Sequence, residues 1–335
     1  MGLDIKEEYG GCLYFEYRKG MKCFYDEFEN IKIDVDSGRS ALQYILENYK
    51  FKRIWLPIYN CPLVAARIIS VSTIKICWYN LNESFRPMIN KNKFIEGDIL
   101  LWVNYFGVMS KALIDEIVSL QINTPVKIII DNIPAYFSQP IPSVFNIYSC
   151  RKFIGVPDGG HVIGNSVKQI ELPIYTTANN YLYLLKAIET GSNSAYSGYK
   201  ESEKRFNDSR TVYAMPILTK KILTSLDYNE IIDYRKINFN VLHSILGQSN
   251  RLAMNILTNT PSVYPYLTSN KELRQKLLDN HIYISRFWKH VLVNEFSNNF
   301  EKDLAEYLIP LPIDQRYDPD DMQFIANMVM RLEKK

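Results

Sequence analysis

Residues 127–160 read KIIIDNIPAYFSQPIPSVFNIYSCRKFIGVPDGG. Val126 to Ile130 is a short β-branched run that stops at Asp131, ahead of the Asn132-Ile133-Pro134 loop. Val144 to Tyr148 is a second run of this kind, and Gly160 to Gly164 a short third. Strands apolar along their whole length are buried on both faces, as in parallel sheets covered by helices. The stretch therefore predicts the middle of an α/β sheet. It sets Asp131 and Ser149-Cys150-Arg151-Lys152 at carboxyl ends of strands, where such sheets collect ligands.

The alternation continues towards the N-terminus. Leu13 to Tyr17 and Ile31 to Val35 alternate as strands do. After Asp36-Ser37-Gly38-Arg39 the period changes, and Ala41, Leu42, Ile45, Leu46 and Tyr49 fall at helical spacing. Arg53 to Leu56 reads as a strand ended by Pro57, and Pro62 opens a helix with Val64, Ala65, Ile68 and Ile69 on one face. Thr73 to Tyr79 and Asp98 to Phe106 read as strands, Lys111 to Leu120 as a helix. From about residue 174 the pattern is mainly helical, over 176–188, 217–226, 229–246, 270–280 and 319–333, with strand-like pieces at Ser262–Thr268 and His281–Phe287. The division expected is a large α/β domain over residues 1–228, with N-terminal strands in 10–35, and a smaller α+β domain over 229–335.

Composition narrows the function. The 335 residues, 47% of them hydrophobic, suffice for about two domains. A net charge of +3, with no cluster of basic residues interleaved with aromatics, gives no footing for nucleic acid. The longest mostly apolar run, Ile99 to Met109, is interrupted by Asn104 and too short to span a bilayer, and no secretory signal is visible. Five cysteines without CxxC spacing read as reduced thiols of a cytoplasmic protein, and four scattered histidines argue against a metal site.

Three features carry candidate chemistry. Ser37-Gly38-Arg39-Ser40 precedes a helix, where free N–H groups and the positive end of the dipole can hold a phosphate; a serine there also serves as a plain N-cap. Asp131 is either a turn residue or a carboxylate that keeps a pyridine nitrogen protonated. Lys152 is either a solvated surface lysine or an amine that forms a Schiff base with an aldehyde cofactor, with the Ser149 hydroxyl three residues earlier on that cofactor's phosphate. Their order is more telling than any one of them: a phosphate loop, an Asp ending a middle strand, then Ser-x-x-Lys with its lysine 21 residues after that Asp.

These runs, DSGRSALQYIL, RIWLPIYNCPLVAARI, ILLWVNYFG, IIIDNIPAYF, YSCRKFIGVPDGG and LPIDQRYDPDDMQFIANMV, resemble the DegT/DnrJ/StrS family of sugar aminotransferases from about residue 31 onward. The resemblance implies the type I fold of pyridoxal-phosphate (PLP) enzymes, a mostly parallel sheet in a large domain with a smaller α+β C-terminal domain. It implies that Lys152 carries the cofactor, that Asp131 pairs with its ring nitrogen, and that Ser37, Gly38, Arg39, Ser40 and Ser149 hold its phosphate. A side chain of Tyr59-Asn60-Cys61, with Tyr59 chosen, would lie against the ring. The implied reaction takes an amino group from a donor such as glutamate to a keto-sugar nucleotide, for surface polysaccharide or related sugars, in a homodimer. Alternatives are other PLP chemistry on the same scaffold, or a non-catalytic protein that keeps the fold. Relatives that dehydrate carry histidine in place of the lysine, and Lys152 speaks against that variant.

Three positions depart from the family pattern. Arg39 stands where relatives have threonine, and either grips the phosphate, the preferred reading, or points outward. Pro134 stands where a glutamine is common, and the Asn-Tyr-Arg segment that reaches across the dimer has no match near Val212-Tyr213-Ala214.

Overall fold

The computed structural model describes residues 15–18, 22–28, 31–107, 109–254 and 259–333. In chain order the first part holds β1 (Ile31–Val35), α1 (Gly38–Asn48), β2 (Arg53–Pro57), α2 (Pro62–Val71), β3 (Lys75–Tyr79), β4 (Asp98–Val103), α3 (Lys111–Asn123), β5 (Lys127–Asp131), β6 (Phe145–Ser149) and β7 (Gly160–Gly164). The strands form one seven-stranded sheet in the order β1-β7-β6-β5-β4-β2-β3. Only β7 runs antiparallel to its neighbours β1 and β6; the pairs β6–β5, β5–β4, β4–β2 and β2–β3 are parallel. The turns after β1, β2, β5 and β6 therefore open on the same edge of the sheet.

Side-chain alternation explains why both faces are covered. Leu100, Trp102, Ile128 and Ile130 pack on one face with Leu113, Ile117 and Leu120 of α3. Ile54, Leu56, Ile99, Leu101 and Ile129 pack on the other with Ala41, Leu42 and Ile45 of α1 and Ile68 of α2. β4 is buried at all six positions but ends three residues before the expected Phe106. Phe106 and Gly107 take left-handed φ values of 60° and 78°, which no strand accommodates.

The rest of the chain holds α4 (Leu182–Thr190), α5 (Tyr196–Asp208), α6 (Ile217–Leu223), α7 (Tyr228–Leu246), β8 (Tyr264–Leu267), α8 (Leu273–Asp279), α9 (Asn299–Tyr307), β9 (Leu308–Leu311) and α10 (Pro319–Glu333). β8 and β9 pair antiparallel, and their side chains join Phe239 and Leu242 of α7, Leu273 of α8, and Met322, Ile325 and Val329 of α10 in a separate core.

Three expectations need correcting. His281–Phe287 is not a strand: His281 and Trp288 have φ of 61° and 52°, and the strand that pairs with β8 is β9. The expected Leu13–Tyr17 strand begins outside the described residues, and Phe15 to Tyr17 are not in a strand. Helix α5, not anticipated, buries only Ser202 and Phe206. Its Gly198 lets it approach α4, because a Cβ there would lie 2.7 Å from Tyr183 Cβ.

Candidate active site

The site is assembled by close backbone contact at the carboxyl edge. Ser37 ends the β1 turn in extended geometry and caps α1, its Oγ accepting the Ser40 N–H at 3.1 Å. Gly38 touches two other elements: a Cβ there would come within 2.5 Å of Ile133 Cδ1 and 3.3 Å of Ser149 Cβ. The start of α1, the turn after Asp131 and the end of β6 are thus packed together. Gly160 permits this, since its Cβ would fall 2.8 Å from the Ser37 carbonyl carbon and 2.7 Å from the Tyr148 oxygen. The glycine thus makes room for neighbouring backbone.

Asp131 ends β5 and is 5% exposed. One carboxylate oxygen accepts the Ile133 N–H at 2.9 Å. Burial pushes its pKa up to about 6, against the Ile133 hydrogen bond and the charge of Lys152. Lys152 closes a short 3₁₀ turn, Cys150–Lys152, that follows β6 directly. Its amine is exposed and makes no hydrogen bond or ion pair among the described residues. The Ser149 hydroxyl, on a residue 6% exposed, likewise has no partner among the described residues. The turn is held from the other core. Arg235 of α7 donates to the Phe153 and Ser262 carbonyls, both at 3.2 Å, and stacks on Phe153, 4.6 Å from the ring centroid. Gln315 donates to the same Phe153 carbonyl at 2.9 Å.

Arg39 lies beside this cup with its guanidinium engaged. It donates to Glu203 Oε2 of α5 at 2.9 Å, and Arg151 donates to the other oxygen of the same carboxylate. Burial opposes the Glu203 charge, but Arg151 and Arg39 outweigh it and hold the carboxyl below its ordinary range. Two guanidiniums on one carboxylate leave an excess positive charge next to the cup. Tyr59 is set apart. Its ring is fully buried, T-shaped against Trp288 at 4.5 Å and 5.8 Å from Tyr105. No hydrogen bond or ring contact joins it to Asp131, Lys152, Ser37 or Ser149 among the described residues.

Sequence reasoning missed Glu203, Arg151, Arg235 and Gln315. Asp158, in the glycine-rich stretch, is also structural: fully buried, it accepts hydrogen bonds from Tyr175, Thr177 and Thr219. Arg151 and Gln315 had a signal, their places in the YSCRKFIGVPDGG and LPIDQR runs that carry the family resemblance; Glu203 and Arg235 had none.

The donor set fits pyridoxal phosphate. A buried carboxylate suits a cationic ring nitrogen, an unpaired amine suits an aldehyde, and a helix start with an unpartnered serine suits a phosphate.

No protein-family model matches the chain, and no curated protein matches it by sequence. Solved structures do match, across nearly the whole chain. The sugar aminotransferase Spr1654 of Streptococcus pneumoniae, described as putative, in its PLP form, shares 15% identity with a TM-score of 0.66, covering 95% of this chain and 93% of its own. DesV of S. venezuelae, solved with a ketimine intermediate, shares 16% identity with a TM-score of 0.61, covering 93% and 87%. The E. coli GDP-4-keto-6-deoxy-D-mannose-3-dehydratase with bound hydrated PLP shares 13% identity with a TM-score of 0.60, covering 91% and 89%. The fold is therefore that of type I PLP enzymes, in the form found in DegT/DnrJ/EryC1/StrS aminotransferases.

Proposed function

We propose that the chain is a PLP-dependent aminotransferase that moves an amino group from glutamate to a keto-sugar nucleotide, in surface polysaccharide or related sugar biosynthesis. The observation that carries this is the placement of buried Asp131 and unpaired Lys152 at the ends of adjacent parallel strands, with the start of α1 wedged against both turns.

Bound PLP supplies an electron sink for charge developing on the substrate carbon. Asp131, ionised at neutral pH, keeps a positive charge on the ring nitrogen. Lys152 would hold the cofactor through its amine, and the freed amine would serve as the acid and base that moves a proton between the substrate and the cofactor. The α1 N–H groups, Ser37, Gly38, Ser40 and Ser149 hold the phosphate, with Arg39 lending the excess charge that Glu203 leaves. Tyr59 belongs to the apolar wall on the β2 side.

A groove of about 710 Å³ between the α4–α5 pair and the second core is assigned to the substrate's approach. Its lining includes Tyr183 and Tyr199, which lie close enough to Arg151 and Glu203 to feel their charges, and on the far side Tyr283 and Arg316. A second cavity, at the amino ends of the strands around Phe51, Lys127 and Phe145, lies on the opposite edge from Lys152 and takes no part. A homodimer is supported by Leu182, Leu185 and Ile188 of α4, which are 64%, 51% and 83% exposed and which a second copy would cover. A cytoplasmic setting suits the free thiols of Cys23, Cys61, Cys77 and Cys150.

Protein loaded with PLP should be yellow, and glutamate should bleach it. Its amino form should regain colour with one member of a panel of keto-sugar nucleotides. A protein that takes up no cofactor, or whose colour no amino donor bleaches, would contradict the assignment.

A further inference from the structure

Directly behind Lys152 lies a polar cluster that the proposed reaction does not use. Cys150, which opens the turn ending at Lys152, places its Sγ 3.7 Å from His161 Nε2. His161 Nδ1 is 2.9 Å from Asp34 Oδ1, so the imidazole turns its other nitrogen to the sulfur. Asp34 is held in turn by Lys32 at 3.2 Å and Lys220 at 3.1 Å. Tyr136 Oη sits 3.4 Å from the same Nε2 and 4.0 Å from the Sγ of Cys23. Tyr228 Oη reaches Cys23 at 4.0 Å from the other side. Cys150 thus meets the histidine–carboxylate pair directly, and Cys23, 127 positions away in sequence, is linked to it through the Tyr136 hydroxyl. Cys150 and His161 are fully buried and Cys23 is 6% exposed. Among the described residues no such group is arranged to hold a metal ion.

We propose that Cys23 and Cys150 are a redox-active dithiol, served by His161 and Asp34, that a peroxide converts to a disulfide. The two sulfurs are unequal. Burial raises the Cys150 thiol, the largest influence on it, so it stays protonated. At Cys23 burial acts in the same sense, but the His161 hydrogen bond and charge outweigh it and favour the thiolate. The Cys23 thiolate attacks the peroxide; the S–O bond forms as the O–O bond breaks, and the departing hydroxide takes the His161 proton and leaves as water. Cys150 then passes its proton to His161 and attacks the Cys23 sulfenic acid. The S–S bond forms as the S–O bond breaks, and the hydroxide recovers that proton as a second water. Two thiols lose one electron each, and the peroxide gains two.

Treatment of the native protein with hydrogen peroxide, alkylation of the remaining thiols and non-reducing peptide mapping tests this. A Cys23–Cys150 linked peptide is expected, with Cys61 and Cys77 still alkylated. His161→Gln should slow its formation at least about tenfold. Cys150→Ser should leave a sulfenic acid on Cys23 that dimedone captures. Wild-type protein in which both thiols stay free, or in which Cys23 proceeds to sulfinic acid unlinked, would overturn the proposal. That wild-type result needs no variant to fold and does not depend on PLP chemistry.

Discussion

The rim of the sheet and the α4–α5 pair are built from opposite materials. At the rim, apolar strands end in single polar residues, and each turn is fixed by its neighbours: Ser37 by Ser40, Gly38 by Ile133 and Ser149, Asp131 by Ile133. α4 buries no residue and α5 buries only Ser202 and Phe206. The pair is tied down by charge and ring contacts: Glu203 to Arg39 and Arg151, and Arg205 stacked on Phe206 and Tyr175. Burial fixes position to a fraction of an ångström, whereas half-exposed ion pairs add little stability.

Substitutions on the two sides should then differ in size. Lys152→Ala should abolish transamination, by on the order of 10⁴-fold, with thermal stability unchanged because the side chain is exposed; half-reaction rates and a melting curve check both.

Asp131→Asn is expected to lower turnover roughly 100-fold or more and weaken cofactor binding. The same change should stabilise the apo-protein. A carboxyl raised to about 6 from 3.8 binds its proton more tightly when folded, so stability falls as pH rises from about 4 to 6 and the penalty persists above that window. Removing the charge should add about 3 kcal/mol at pH 7 and little at pH 4, read from denaturant melts at the two pH values. Equal gains at both would show that burial of the charge is not the cause.

Arg235→Met removes the brace between α7 and the turn after Lys152 while keeping bulk. A fall in kcat of about 10-fold with KM little changed is expected, because Gln315 still holds the Phe153 carbonyl. The smallest effect belongs to the α5 side. Arg39→Thr should raise the PLP Kd roughly threefold, since Glu203 already engages the guanidinium and Arg151 remains. Titration of the apo-protein beside Ser149→Ala would show whether Arg39 acts on the phosphate at all.

The same contrast explains what could be read in the sequence. Ile128-Ile129-Ile130 before Asp131, and Gly38 opening an apolar helix, are local signals, and they placed the sheet, α1 and the rim residues. Pro319 to Glu333 was legible as a helix at both ends, because its apolar residues recur at helical spacing. α5 was not, since Tyr196 to Asp208 is mostly polar and its role depends on Arg39 and Arg151, distant in sequence. α9 carries a local signal, Asn298 with Glu301 in a capping box. The contact between Tyr59 and Trp288, distant in sequence, has no local signal.

The central claim is that Lys152 carries the cofactor. Borohydride reduction of the PLP-loaded protein, followed by peptide mapping, tests it most directly. The pyridoxyl group is expected on the peptide containing Lys152 and absent in Lys152→Ala; a pyridoxyl group on any other lysine would rule that assignment out.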